Sequence, residues 1–277
     1  MRFLPGTEAR RRIYLMRHGH VDYLDRKTVE SGAMHEVVLT PRGRMQAEAA
    51  GRAFAHVQFD RAVCSGYPRT KQTAEGVLSF VKDAPSLEID PGLVEIHGGK
   101  LPPVRSREEL IRAMNAFFER AHEPGATNHE GGEVFAEAQA RAVSAIERLL
   151  DQPDWHTSLV VAHEGINRLI LSWACGAGLC AMSSFEQDTG CINVIDFDLN
   201  RQDGVRRALI KAVNLTPYNY LKHGMNLTSL EAIFERDVND KPPGEISPKK
   251  LSWPANAGHP GGFCTRWKFA RGDAEGA

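Results

Sequence analysis

The feature that most constrains this chain is a set of short apolar runs, each cut off by a polar or charged residue. Arg12-Ile13-Tyr14-Leu15-Met16 breaks at Arg17-His18-Gly19, Arg61-Ala62-Val63-Cys64 at Ser65-Gly66, and Ser158-Leu159-Val160-Val161-Ala162 at His163-Glu164-Gly165. Such runs read as strands of a parallel sheet buried on both faces. Segments of helical period lie between them. Thr40-Pro41 announces the first, with Thr40 as N-cap, Pro41 at the first helical position, and Met45, Ala49, Phe54 and Val57 as an apolar face. Pro68 opens a second, residues 133–150 make a third, and residues 166–175 a fourth. A strand-like pair surrounds residues 87–89, and residues 191–197 and 205–213 complete the sheet as an antiparallel pair. This alternation predicts an α/β fold, a three-layer α/β/α sandwich on a mostly parallel central sheet.

Two regions depart from the pattern. Residues 100–132, with a Pro-Pro step, a charged helical stretch at 108–120 and a Gly/His-rich loop, read as a small cap inserted over the sheet. Beyond residue 215 the periodicity weakens to one amphipathic helix at 227–236, followed by an irregular Pro/Gly/Asn-rich stretch at 239–262. The expected organisation is therefore a catalytic domain over 1–215 and an extension over 216–277 packed on its core. Trp253 and Trp267 would anchor that extension or sit at a dimer contact.

The bulk numbers exclude more than they identify. A formal net charge of -1 over 277 residues marks neither a nucleic-acid binder nor an anionic-membrane binder, so any affinity for anions has to be local. The five cysteines are scattered without a CxxC spacing, as in a reducing compartment, and no His/Asp cluster has metal-ligand spacing. The charged N-terminus lacks the apolar core of a secretory signal, and the longest apolar run, 169–182, is too short to span a bilayer. A cytoplasmic protein is expected.

In open α/β sheets ligands bind beyond the carboxyl ends of the strands. That rule brings Arg17, His18, Ser65, Arg69 and His163 to one crevice although they lie far apart in the chain. Helices starting after Ser65 and His163 add backbone N–H groups and positive dipole ends. Two forked guanidiniums suit the equatorial oxygens of a phosphoryl group, and a neutral imidazole is a competent nucleophile towards phosphorus. A second imidazole would stabilise the transition state, and a carboxyl must protonate the leaving oxygen.

This constellation resembles the histidine phosphatase superfamily, which includes the cofactor-dependent phosphoglycerate mutases. Arg17-His18-Gly19 resembles the signature tripeptide, implying that His18 is the phosphorylated nucleophile. Leu39-Thr40-x-x-Gly43-x-x-Gln46-Ala47 resembles the helix that follows, and Ser65-Gly66-Tyr67-Pro68-Arg69-Thr70-Lys71-Gln72-Thr73-Ala74 the second motif, with Arg69 binding phosphate. Leu93-Val94-Glu95-Ile96-x-x-Gly99 resembles the acid-bearing segment, which puts Glu95 in that role. Gly131-Gly132-Glu133 resembles the start of the helix after the cap, and His163-Glu164-Gly165-x-x-Arg168 the last motif, with His163 the second pocket histidine. Six motifs in order carry far more weight than the tripeptide alone.

The chain also departs from that pattern. His20-Val21-Asp22-Tyr23-Leu24 replaces the Glu-Thr and Asn that often help line the family's pocket. Glu164 stands where Gly is commoner, and a carboxylate there makes it a rival to Glu95 as proton donor. The resemblance implies catalytic roles for His18, Glu95, His163, Arg17 and Arg69. Glu164 and His20 join Arg17, Arg69 and His163 as substrate-binding candidates, with no metal and no cofactor. His97, His129, Arg105 and Arg107 either read the rest of the substrate or form a solvated cap face, and Phe117 and Phe118 are expected in core or cap packing.

The expected activity is hydrolysis of a small-molecule phosphate ester. Mutase-type transfer to a bound sugar acid and phospho-ligand binding with little turnover are the alternatives. The mutases carry a longer, more basic insertion than residues 99–129 provide. Neither nucleic acid nor membrane is an expected partner. A homodimer is compatible with the extension.

Overall fold

The computed structural model describes residues 9–23, 33–100, 109, 116–200 and 204–234. The chain divides into two compact units, Met1–Arg236 and Asp237–Ala277, and every described residue belongs to the first.

The described strands form one six-stranded sheet. In chain order they are β1 (Ala9–Arg17), β2 (Arg61–Cys64), β3 (Leu87–Ile89), β4 (Thr157–Ala162), β5 (Ile192–Asn200) and β6 (Gly204–Leu215). Their order across the sheet is β3-β2-β4-β1-β5-β6, parallel from β3 to β1 and antiparallel from β1 through β5 to β6. The expected α/β fold with a mostly parallel sheet and an antiparallel final pair is what the chain adopts.

Four α-helices flank the sheet among the described residues: α1 (Pro41–Phe54), α2 (Pro68–Leu78), α3 (Phe135–Asp151) and α4 (Glu164–Ala174). Their starts follow from local chemistry. Pro41 and Pro68 each stand in the first helical turn, where a missing N–H costs nothing, and the Thr40 hydroxyl accepts from the Gly43 amide at 3.1 Å.

Side-chain alternation along the strands separates the two layers. Ile13 and Leu15 of β1 and Val160 and Ala162 of β4 pack with α3 and α4. Met16 of β1 and Leu159 and Val161 of β4 pack instead with Ala50 and Phe54 of α1 and Ala74 and Val77 of α2. Met16 pairs with Val161, and Val161 pairs with Cys64, so β1, β4 and β2 finish in line. That alignment positions the site.

Two expectations change. The amphipathic helix at 227–236 is, among its described residues, a 3₁₀ turn at Glu231–Phe234. A Thr228–Glu231 pair caps it, the Glu231 carboxylate accepting from the Thr228 amide at 2.8 Å and the Thr228 hydroxyl from the Glu231 amide at 3.2 Å. Leucines three apart fit a 3₁₀ turn as readily as an α-helix. In the cap, Glu109 is helical, but residues 116–118 form a 3₁₀ turn rather than the end of a charged helix.

Residues 216–234 of the expected extension lie within the first unit, where Leu230 joins the core of the α3–α4 layer. The remainder of the extension, with Trp253 and Trp267, and the cap arginines Arg105 and Arg107 lie outside the described residues. Among the described residues, no helix is long and apolar enough to cross a membrane.

Candidate active site

The ends of β1, β2 and β4 deliver Arg17-His18, Ser65 and His163 to one buried cluster. Arg17, His18, Arg69 and His163 are all nearly inaccessible to solvent. The two imidazoles meet edge to face with ring centroids 5.3 Å apart. His163 is the N-cap of α4, and Arg69 lies in the first turn of α2, so both helix starts face the cluster as anticipated.

His18 is held in one orientation. Its Nδ1 lies 2.7 Å from the carbonyl of Gly19, which requires Nδ1 to carry the hydrogen and leaves the lone pair on Nε2. Burial, then the charges of Arg69 and Arg17, hold its pKa well below 6.5. The imidazole is therefore neutral near pH 7, as nucleophilic attack requires. The backbone that carries the ring is seated against Gly43, where a side chain would clash. A Cβ on Gly43 would meet the His20 carbonyl oxygen at 2.2 Å, so the loop after β1 rests directly on the backbone of α1.

His163 bonds through Nε2 to the Ser65 hydroxyl at 2.8 Å, and Ser65 in turn meets the Thr70 hydroxyl at 2.9 Å. Burial and the nearby Arg69, His18 and Arg17 also push the His163 pKa well down. Three buried nitrogens in this cluster lack any partner: Arg17 Nε, Arg69 Nε and His163 Nδ1. Buried polar groups are almost always satisfied, so three unsatisfied nitrogens beside His18 leave hydrogen-bonding capacity that suits an anion.

The two candidate acids differ sharply. Glu95 accepts from the Ile96 amide at 2.9 Å and from the Gly165 amide at 3.2 Å, and it lines the cleft beside the cluster. Burial raises its pKa, outweighing those two amide bonds. Glu164 is fully engaged. One oxygen lies 3.0 Å from Arg17 Nη1, and the other accepts from Arg168 Nη2 at 2.9 Å and from the Ser229 hydroxyl at 2.6 Å.

His20 is half-buried and bonds to the cap of α1. Its Nδ1 lies 2.8 Å from the hydroxyl of Thr40, and burial together with Arg42 lowers its pKa to about 4. Like His18 and His163, it is not among the residues that line the cleft. His129 packs edge to face on Phe117, with centroids 4.7 Å apart.

The structure adds residues that the sequence reading did not place here. The Tyr23 hydroxyl lies 3.4 Å from His18 Nε2. Tyr67 and Tyr23 both present ring faces to the Arg69 guanidinium, at 4.8 and 5.7 Å from its carbon. Phe117 and Phe118 pack against the core as expected, but both also line the cleft. That cleft measures about 1030 Å³ and runs from Arg17 and Arg69 past Glu95 to Phe117, Phe118 and Leu230. Tyr23 and Tyr67 carried a sequence signal, the first in the segment that departs from the family pattern and the second inside the Ser65–Ala74 motif.

Among the described residues, no group of three or more His, Cys, Asp or Glu side chains is placed to hold a metal ion.

Known proteins carry the same framework. An adenosylcobalamin/alpha-ribazole phosphatase of Escherichia coli K12 is 29% identical over 191 residues, covering 68% of this chain and 90% of its own. A probable 2-carboxy-D-arabinitol-1-phosphatase of Arabidopsis thaliana is 26% identical over 218 residues, 79% of this chain, but the match spans only 44% of that protein's length. The crystal structure of a putative alpha-ribazole-5'-P phosphatase from Escherichia coli superposes with a TM-score of 0.56 at 28% identity, over 74% of this chain and 96% of its own. The family model described as histidine phosphatase superfamily (branch 1) matches residues 13–209. That match runs from β1 into β6 and takes in both histidines and both arginines of the cluster, and the chain belongs to the histidine phosphatase superfamily.

Proposed function

We propose that this protein hydrolyses a phosphomonoester through a phosphohistidine on His18, with Glu95 as the proton donor and no metal ion. The observation that carries the reading is the trio of buried, unpartnered nitrogens on Arg17, Arg69 and His163 beside a neutral imidazole whose lone pair is on Nε2. In the first step Nε2 forms a bond to phosphorus as the ester oxygen leaves, and the Glu95 proton passes to that oxygen. In the second, the Glu95 carboxylate takes a proton from water, the resulting hydroxide attacks phosphorus, and the P–N bond breaks to release phosphate. Arg17, Arg69 and His163 hold the equatorial oxygens throughout.

The cleft supports an ester of a sizeable, largely apolar alcohol. Beyond Glu95 its walls include Ile96, Phe117, Phe118 and Leu230. The described basic group along that stretch, Arg141, is already committed to Glu133 through two bonds of 2.9 and 2.8 Å and to the carbonyls of Gly92 and Val94. A second anionic group on the substrate finds no free cation there among the described residues. This favours hydrolysis over transfer to a sugar acid. The buried free thiols of Cys64 and Cys191 suit a cytoplasmic setting.

Hydrolysis of an aryl phosphate in excess EDTA by the wild type and by His18→Ala tests the reading. Turnover that survives EDTA and vanishes in the variant supports it. Turnover that persists without His18, or that EDTA abolishes, refutes it.

A further inference from the structure

Tyr23 occupies a place that the chemistry needs for something else. Its hydroxyl is the group that faces His18 Nε2, at 3.4 Å. A phosphorus atom poised for attack waits about 3–3.5 Å from its nucleophile. The phenol oxygen therefore stands at the distance from Nε2 that an incoming phosphorus would take, and the Arg69 guanidinium lies over its ring at 5.7 Å. Its placement is built in. Val21 and Leu39 form a backbone bridge, and the Tyr23 ring packs against the small cluster of Val21, Val37 and Leu39.

The phenol is also kept as a donor. Burial raises its pKa, outweighing the pull of Arg69 and Arg17, so the O–H is retained at working pH. In the free enzyme that hydrogen goes to the Nε2 lone pair. Once Nε2 turns to phosphorus, a half-buried O–H loses its acceptor and is left to seek another. The equatorial oxygens of the phosphoryl group arrive at that moment and in that space, and they are acceptors only.

We propose that Tyr23 is a phosphoryl-contacting residue of this enzyme: its hydroxyl stands in for the phosphoryl group on His18 in the free state and moves aside to donate to an equatorial oxygen when substrate binds. Its position in the chain accounts for the departure at 20–24, since a phenol from Tyr23 supplies a contact where the family's usual polar side chains are missing. The inference rests on the phosphohistidine reading for its second half, but the anion contact stands on geometry alone.

The test is Tyr23→Phe, which removes one oxygen and keeps the ring against Val21, Val37 and Leu39. Orthovanadate binding is measured by calorimetry, beside kcat/KM for several phosphate esters. A hydrogen bond to an anion predicts orthovanadate bound about tenfold to a hundredfold more weakly, and kcat/KM reduced by a similar factor for every ester. Equal or tighter orthovanadate binding, or faster turnover, would show that the hydroxyl only obstructs the site and would overturn the proposal. A loss confined to some esters would assign Tyr23 to the leaving group and overturn it equally. A wild type that binds orthovanadate more tightly than the variant but turns over no ester would support the contact while striking the hydrolase reading.

Discussion

Glu164 and Arg17 face each other across the ends of β4 and β1, Oε2 and Nη1 3.0 Å apart and both side chains almost fully buried. With Arg168 on its other oxygen, Glu164 bridges two guanidiniums that would otherwise repel each other at the base of the cluster. Removing one partner of a buried pair leaves the other charge uncompensated. Glu164→Gln is therefore expected to lower stability by about 3 kcal/mol in urea denaturation while retaining the pH profile of the wild type. A stable variant with an altered alkaline limb would instead make Glu164 the proton donor.

Glu95→Gln should do the opposite. The proposed mechanism needs Glu95 protonated and His18 neutral. Burial raises the Glu95 pKa, and burial with Arg69 and Arg17 lowers that of His18. The rate thus holds at mildly acidic pH and falls as pH rises through the raised Glu95 pKa. The variant loses about 10²–10⁴ in kcat/KM and loses that alkaline fall. Dividing wild-type by variant rates at each pH cancels the ionisation of the substrate phosphate. A ratio that does not change with pH would count against Glu95.

Ser65→Ala tests the hold on the second histidine. The hydroxyl fixes His163 Nε2 at 2.8 Å and so decides which nitrogen is left for the anion. Loss of this one hydrogen bond is expected to weaken inhibition by inorganic phosphate about fivefold to tenfold with little change in melting temperature. Unchanged phosphate inhibition would show that His163 needs no such support.

Gly43→Ala probes the seating of the loop that carries His18. The new methyl group meets the His20 carbonyl oxygen, a backbone atom that cannot swing aside. Overpacking of this kind costs about 1–3 kcal/mol. Stability in urea and kcat should both fall, because the same contact that is strained holds His18 in place. Wild-type stability would mean that the loop can lift off α1 without cost.

Much of this was legible in the chain because the strand ends are abrupt. Leu15-Met16-Arg17-His18 and Val161-Ala162-His163-Glu164 pass from core to site within one peptide, so the fold rule for parallel sheets brought them together before any coordinates. Glu95 has no such break beside it and was reached through its resemblance to a family motif. Tyr23, Phe117 and Ser229 reach the cleft or its base through tertiary approach, and no periodicity marks them. His20 follows the same strand end, and its hydrogen-bonding partner is the Thr40 cap of α1, a contact that no sequence spacing marks. The 3₁₀ turn at Glu231–Phe234 was read as a helix because a spacing of three serves both.

The central claim is a covalent phosphoryl group on His18. Wild-type enzyme mixed with a good aryl phosphate and quenched within milliseconds into alkali, where phosphohistidine survives, is digested and sequenced by mass spectrometry. The account predicts one phosphoryl group on the peptide containing His18, acid-labile, increased when Glu95→Gln slows the second step, and absent from His18→Ala. Turnover with no phosphorylated His18 at any time point, or with the group on another residue, would contradict it.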